Sequence, residues 1–304
     1  MPSFARTSLV WAAAMTLLSS IAVTLVSVVP ADAASARAGK THPVMLVPGE
    51  RIGSALTQYS SFDWAGYADD KTSGNVYSSV GGSWVQPSVK CTSEDRIAVF
   101  WAGLDGDGTP TVEQTGTEAD CANGVATYQG WYEIFPNAPV FFPNRVQPGD
   151  EMSASVVADG AGTFMLTLSD ATQGWTQTTQ QAAASAQLGS AEIIAEAPSD
   201  GMVLPLADFG AVSFTAATVD HAPIGASANL SELTMESAQG AALATPSALT
   251  GGNAFSVSAD NAAAAAGAAP GAAAADPAGP GTAGGGGGAS DGGGRRHHHH
   301  DRGF

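Results

Sequence analysis

The chain has 304 residues, with 11 basic and 28 acidic side chains, a formal net charge of −17 at pH 7 and a sequence pI of about 4.4. Such an acidic surface repels nucleic acid and anionic membranes, which excludes both classes of partner. It suits a protein that works in acid, where carboxylates take up protons, although an acidic surface kept only for solubility would have the same composition.

The first residues have the features of a secretory signal peptide. One positive charge, Arg6, precedes a long apolar run from Leu9 to Val29, and an A-x-A sequence follows at 31–33. Because this order of features defines a cleaved signal, we expect residues 1–33 to be removed after Ala33 and the protein to be secreted. The run is also long enough for a membrane anchor. Three serines within it and the A-x-A site disfavour that alternative, so we expect no stable membrane association after cleavage.

The remaining chain divides into three parts by composition. Residues 34–56 show no clear strand pattern and are interpreted as a short pro-segment or spacer. Residues 57–258 are enough for one domain with a substantial core. Residues 259–304 are almost entirely Ala, Gly and Pro before they end in a basic and histidine-rich stretch, His297–His300 included. That composition buries too little apolar surface to offset its ordering entropy, so we expect a disordered tail and assign its histidines no catalytic role.

The domain shows strand periodicity and almost no helical signal. Short segments rich in β-branched and aromatic residues alternate with Gly, Pro, Asp and Asn. In one of them Met152, Ala154 and Val156 alternate with polar residues, and the turn sequence DGAG at 159–162 follows. This pattern predicts a β-hairpin. Many strands at such spacing are typical of an all-β sandwich or barrel.

Cysteine and histidine usage limits the possible chemistry. The two cysteines, Cys91 and Cys121, both lie in the domain of an exported chain, so we expect them to form a disulfide. The domain has a single histidine, His221, in a loop-like segment. Ser-His-Asp catalysis, Cys-His catalysis and a histidine-rich zinc site are therefore poorly supported. We expect no metal and no cofactor, and chemistry that uses carboxylates, amides and hydroxyls.

Three segments place polar groups inside apolar strands: 101–118, 129–136 and 190–196. Residues two apart on a strand share a face, so Glu192 and Glu196 lie on one face. If that face is buried, at least one of these carboxyls has a raised pKa, because burial disfavours the charged form. Gly116 follows Gln114 and Thr115 and would allow another strand to approach closely.

These segments resemble, in order, the motifs of the eqolisins, a family of glutamic peptidases, and the resemblance extends over most of the domain. The matched residues are Trp64, Ala65 and Gly66; Trp101, Gly103, Asp105 and Gly106; Gln114, Thr115 and Gly116; Trp131, Tyr132, Glu133 and Pro136; and Ala191, Glu192, Ile194 and Glu196.

The resemblance implies a fold, a reaction and a set of site residues. The fold would be a two-sheet antiparallel β-sandwich of the concanavalin-like jelly-roll type, with Gln114 and Glu196 facing each other across a cleft. Glu196 would be the general base that activates water, and Gln114 would stabilise the oxyanion. The expected substrates are proteins or peptides, hydrolysed in acid by a monomer. The residues expected to line the cleft and bind substrate are Trp64, Trp101, Asp105, Trp131 and Glu133, with Glu192 in a supporting role.

Two other functions remain open from the residues alone. A β-sandwich glycoside hydrolase would use two carboxyls about 5 to 9 Å apart, whereas Glu192 and Glu196 would be about 13 Å apart at their backbones. A non-catalytic module that binds carbohydrate or peptide would use the aromatic residues as a platform. Gln114 has no special purpose in either alternative.

Overall fold

The computed structural model describes residues 56–70 and 76–260 in full, and the backbone of two short strands at 46–47 and 51–52. The predicted signal peptide, the rest of residues 34–55 and the tail from residue 261 lie outside the described residues. No helix in the described part of the chain has the length and apolar character needed to span a bilayer.

The described residues form strands and one single-turn 3₁₀ helix. In chain order the strands are β1 (Leu46–Val47), β2 (Arg51–Ile52), β3 (Leu56–Ser61), β4 (Trp64–Asp70), β5 (Ser79–Val85), β6 (Arg96–Leu104), β7 (Val112–Ala122), β8 (Val125–Phe135), β9 (Val140–Arg145), β10 (Glu151–Ala158), β11 (Thr163–Asp170), β12 (Trp175–Ala182), β13 (Ser190–Glu196), β14 (Ala211–Val219), β15 (Ala222–Pro223), β16 (Leu230–Glu236), β17 (Ala242–Pro246) and β18 (Phe255–Ala259), with the 3₁₀ turn at Ile224–Ala226.

The strands pair in two layers. The first layer has the order β3-β16-β4-β13-β6-β7-β8-β9 and is antiparallel except for the β3–β16 pair. The second has the order β17-β18-β14-β5-β10-β11-β12. Pairing of β16 with β17 joins the two layers at one edge. The expectation of an all-β, two-layer antiparallel sandwich is confirmed.

The core lies between the two layers. Phe100 and Ile193 of the first layer and Trp84, Val156 and Phe214 of the second are buried in one apolar cluster. Because side chains alternate along a strand, every second residue of the first layer points into this core and the others point away from it. The outward-pointing residues of β4, β6, β7, β8 and β13 are the ones that matter for function.

Two local predictions are confirmed. Strands β10 and β11 form the predicted hairpin, in which the Asp159 carboxylate accepts hydrogen bonds from the backbone N–H groups of Ala161 and Thr163. Cys91 and Cys121 form a disulfide with their Cα atoms 5.3 Å apart. A closed loop of this length stabilises the fold by about 3 to 4 kcal/mol in the chain-entropy model.

Candidate active site

The outward face of the first layer carries the residues that the sequence motifs singled out. Trp64, Trp101, Trp131 and Ile194 are almost completely buried there, in an apolar cluster separate from the main core. We call this surface the site face. Strand pairing therefore brings together motifs that are far apart in sequence.

The strand register orders the polar residues on the site face. Gln114 on β7 pairs with Gly103 on β6, and Gly103 pairs with Glu192 on β13. One row away, Trp101 pairs with Gly116 and Ile194, and one further row away, Glu196 pairs with Val99 and Trp64. Gln114 and Glu196 thus lie on the same face of one layer, with β6 between their strands.

The expectation is that Gln114 and Glu196 face each other across a cleft, and in the structure the two residues belong to the same layer. They lie diagonally on one sheet, with Trp101 between them in the register. Two strand spacings and a four-residue offset put their Cα atoms about 16 Å apart on a flat sheet. The side chains can cooperate only by leaning toward each other over Trp101.

The Gln114 amide is oriented by a neighbouring carboxylate. Gln114 is fully buried, and its Nε2 donates a hydrogen bond to Glu133 Oε2 at 2.8 Å. Its Oε1 has no hydrogen-bond partner among the described residues. Because a primary amide nitrogen carries two hydrogens, the Glu133 contact leaves one N–H and one acceptor oxygen of Gln114 for other groups.

The Glu196 carboxylate accepts a hydrogen bond from an indole. Trp101 Nε1 donates to Glu196 Oε2 at 2.7 Å. Complete burial raises the pKa of Glu196 well above its usual value, while Trp101 and then Trp64 oppose that shift because their N–H groups favour the charged form. Glu196 is thus a carboxylate beside two indoles, of which Trp101 is within hydrogen-bond distance.

The glycine at 116 is required by close strand packing. A Cβ atom there would lie 2.1 Å from the backbone oxygen of Phe100 and 2.6 Å from Cβ of Trp101. No side chain fits in that space, as expected from its place in the motif. Gly116 thereby lets Trp101 stand between β7 and β13.

Asp105, which is expected to bind substrate, forms hydrogen bonds with the backbone just before β13. It is fully buried just after β6, and its carboxylate accepts hydrogen bonds from the backbone N–H groups of Gln187, Leu188 and Gly189. These are the residues that lead into β13. Asp105 therefore fixes the entry of the strand that carries Glu192 and Glu196.

Sequence analysis did not predict that Asp70 and Asp107 lie near Glu192 at the end of the site face. Asp70 and Asp107 contact each other and lie near Glu192, and burial raises the pKa of all three. Glu113, near Asp105, has a pKa of about 8 because of burial and then the Asp105 charge. Glu192 belongs to a sequence motif, but local sequence does not show that Asp70 and Asp107 lie beside it. No metal-binding cluster occurs within residues 56–70 and 76–260.

Comparisons with known proteins identify the family. The model of the Peptidase A4 family matches residues 63–259. Aspergillopepsin-2 of Aspergillus niger is 29% identical over 188 residues, which are 54% of this chain and 65% of that protein. The chain therefore spans just under two thirds of this relative's length.

Two solved structures share the fold. One is scytalido-glutamic peptidase with a peptide-based transition-state analog, with a TM-score of 0.55 and 24% identity over 65% of this chain and 98% of the other. The second is SCP-B, an eqolisin in complex with the tripeptide Ala-Ile-His, with a TM-score of 0.51 and 22% identity over the same shares of the two chains. Since the family model covers more than half of the sequence, the chain belongs to the Peptidase A4 (eqolisin) family.

Proposed function

We propose that the protein is a secreted endopeptidase that hydrolyses peptide bonds in acid, with Glu196 and Gln114 as its catalytic pair. The family membership supports the reaction class. The observation that carries the residue assignment is the pair of hydrogen bonds on one face, Trp101 to Glu196 and Gln114 to Glu133. These two hydrogen bonds fix the orientation of a carboxylate and of an amide on either side of Trp101.

In the first step a water molecule attacks the peptide carbonyl. Ionised Glu196 takes a proton from the water as general base, and the new C–O bond forms while the carbonyl oxygen gains negative charge. Gln114 Oε1 accepts a hydrogen bond from the same water, and its remaining N–H donates to the developing oxyanion. Glu133 keeps the amide in the orientation that this requires.

In the second step the tetrahedral intermediate breaks down. Glu196 returns its proton to the amide nitrogen, the C–N bond breaks, and a carboxylic acid and an amine leave. The carboxylate is regenerated, so no covalent enzyme intermediate is formed. Trp64 and Trp131 lie on either side of the pair and are almost completely buried, so a peptide can pack against them once the site opens.

The electrostatic surroundings favour Glu196 over Glu192 as the base. A general base has to be ionised, and Trp101 and Trp64 favour the charged form of Glu196. Burial raises the pKa of Glu192, and although the Ser190 hydroxyl opposes that shift, the charges of Asp107, Asp70 and Asp105 raise the pKa further. Glu192 is level with Gln114 in the register, so its replacement is the necessary comparison.

The proposal includes the location and processing of the chain. Residues 1–33 serve as a signal peptide, residues 34–56 as a pro-segment or spacer, residues 57–258 as the catalytic domain and residues 259–304 as a C-terminal tail. The mature protein acts as a monomer on protein or peptide substrates. The disulfide of Cys91 and Cys121 fits an oxidising compartment.

The test is incubation of the purified protein with a denatured protein at pH 3 to 4, in the presence of pepstatin and a chelator. Peptide fragments are expected, because neither a pair of aspartates nor a metal is involved. A parallel incubation with polysaccharides tests the glycosidase alternative. Cleavage of polysaccharide without any cleavage of protein would overturn the proposal.

A further inference from the structure

The edges of the two layers differ in how they are protected. In the first layer, β1 and β2 pair along β3, and the opposite edge strand, β9, contains Pro143 and pairs with β8 through a register shift. In the second layer, β17 pairs with β16 and ends at Pro246. Such features keep a sheet from adding another strand. The edge at β12 has none of them.

Strand β12 is a long and regular edge. It pairs with β11 over all eight of its residues without a register shift, and β11 is its one partner among the described strands. Its sequence, WTQTTQQA, contains no proline and no charged residue, although the chain as a whole has 28 acidic side chains. An uncharged edge repels neither acidic nor basic segments of another polypeptide.

Every second residue of β12 directs its backbone N–H and C=O groups away from β11. The N–H of Ala183 donates to the carbonyl of Gly162, and bonded positions alternate along an antiparallel strand. Counting back from Ala183, the odd-numbered residues of β12 bond to β11. The backbone groups of Thr176, Thr178 and Gln180 therefore point to the open edge, and all three residues are exposed.

The threonine side chains of β12 do not cover this edge. The hydroxyls of Thr176 and Ser169 are hydrogen-bonded at 2.9 Å. Those of Thr178 and Thr167 are hydrogen-bonded at 3.1 Å. Because Ser169 and Thr167 belong to β11, these bonds draw the threonine side chains back over the sheet and leave the backbone groups of the edge accessible.

We propose that the open edge of β12 binds an extended segment of an unfolded protein substrate, which adds to the second layer as a further strand. An extended polypeptide has N–H and C=O groups at the spacing that an open edge requires. Since the edge is uncharged, main-chain hydrogen bonds set the affinity and segments of many sequences fit. This inference rests on the proposed peptidase function and adds a second place at which its substrates are held.

The open edge is too far from the catalytic pair for a short peptide to reach both. Strand β9 faces β12, since Trp175 Nε1 donates to the carbonyl of Arg145 at 3.0 Å and Gln177 Nε2 to Asn144 Oδ1 at 2.8 Å. The strands from β9 to β13 follow in the order β9-β8-β7-β6-β13. These spacings of about 4.8 Å, with about 10 Å between the layers, give a path of about 30 Å, or about nine extended residues. A chain of about 20 residues or more can therefore use both places.

The kinetic experiment compares a reduced, alkylated and denatured protein with a peptide of about six residues that contains one of its cleavage sites. Thr178→Pro removes an N–H from the open edge, at a position where proline is compatible with an edge strand. We expect it to lower the ratio of kcat/KM for the long substrate to that for the short one by about tenfold, through KM. Ala238→Pro is the matched control. It adds a proline to the exposed turn before β17, where Gly240 N–H donates to Ser237 O, and should leave the ratio as it was.

The short peptide separates the two proposals. If the unaltered protein cleaves neither substrate, the peptidase function is wrong. If it cleaves both and the Thr178→Pro variant has the same ratio as the unaltered protein, the peptidase function stands and the binding edge is overturned.

Hydrogen exchange in acid tests the binding without catalysis and without a change in β12. In the Glu196→Gln variant, the N–H groups of Thr176, Thr178 and Gln180 should exchange rapidly. They should exchange about tenfold more slowly once denatured protein saturates the variant. Slow exchange in the variant alone would overturn the proposal, because another segment of the chain, or a second copy if the exchange depends on concentration, would then occupy the edge. Rapid exchange that denatured protein does not slow would also overturn it.

Discussion

Replacement of Glu196 by Gln removes the proposed base with little change in shape. Trp101 Nε1 donates to Glu196 Oε2 at 2.7 Å, and the amide oxygen of glutamine can accept that same hydrogen bond. The variant therefore leaves no cavity and no unpaired indole. It also removes a buried group that can become charged, so we expect it to fold at least as stably as the original protein.

The size of the effect follows from the two roles assigned to the pair. Proton transfer by a positioned side chain contributes about 10²- to 10⁴-fold to the rate, and one oxyanion donor contributes about 10²- to 10³-fold. Glu196→Gln should reduce kcat/KM by about 10²- to 10⁴-fold, or about 3 to 5 kcal/mol of transition-state stabilisation. Gln114→Ala should lose about 10²- to 10³-fold. The double variant should lose less than the product of the two, because both residues act on one water in one step.

The assay is hydrolysis of a peptide at acid pH, with circular dichroism to confirm that each variant is folded. Glu192→Gln is the matched control, since it is the same chemical change on the same strand, and we expect its rate to fall by less than tenfold. A well-folded Glu196→Gln variant with near-normal activity would refute the dyad. If Glu192→Gln were then the inactive protein, the base would be the residue that is level with Gln114.

Three further predictions concern the rest of the chain. If Cys91 and Cys121 are paired in the secreted protein, unfolding without reductant should expose no titratable thiol, and two thiols would contradict the disulfide. The domain should melt at a higher temperature near pH 4 than near pH 8. In the folded protein Glu113 has a pKa of about 8, because burial and then the Asp105 charge raise it, whereas its carboxyl in the unfolded chain ionises near pH 4.5. The free energy of unfolding therefore decreases as pH rises from the lower of these two values to the higher. Glu113→Gln should recover on the order of 4 kcal/mol of that loss near pH 8, and an unaltered pH dependence would show that Glu113 is not responsible. Finally, because the site residues are fully buried in the full-length chain, we expect a chain beginning at residue 57 to hydrolyse peptide faster than one beginning at residue 34; equal rates would show that residues 34–56 do not limit access.

The sequence motifs predicted which face of a strand a residue occupies, but not how the strands pair. Alternation along the strand predicted that Glu192 and Glu196 lie on one face. In the structure they do lie on one face, and both are fully buried. What could not be predicted is how distant strands pair. The order β7-β6-β13-β4 places Gln114, Trp101 and Glu196 on one sheet, and local periodicity contains no information about the partner or the register of a strand.

Asp105 shows a different limit of sequence reasoning. It lies in the middle of a motif, so its carboxylate was expected to bind substrate, yet that carboxylate is used by three backbone N–H groups. The backbone N–H groups of a buried loop need hydrogen-bond acceptors, just as those of a bound substrate do. The sequence of a motif does not distinguish these two uses, because both favour the same residue type at the same position.

Burial of Glu196 connects access to the site with the pH at which it can act. In the full-length chain Glu196 has no exposed surface, and burial raises its pKa well above the usual value. A carboxyl in that state keeps its proton in acid and cannot serve as a base. When the site opens, water reaches the carboxylate, the largest cause of the raised pKa diminishes, and the donors Trp101 and Trp64 remain. In the opened site Glu196 can therefore ionise at a lower pH than in the covered site.

For this reason the chain that begins at residue 57 should be faster than the chain that begins at residue 34. The acid limb of its pH–rate profile should also be displaced to lower pH. If the two chains differed in rate but had the same acid limb, burial of Glu196 would not explain why the longer chain is slower.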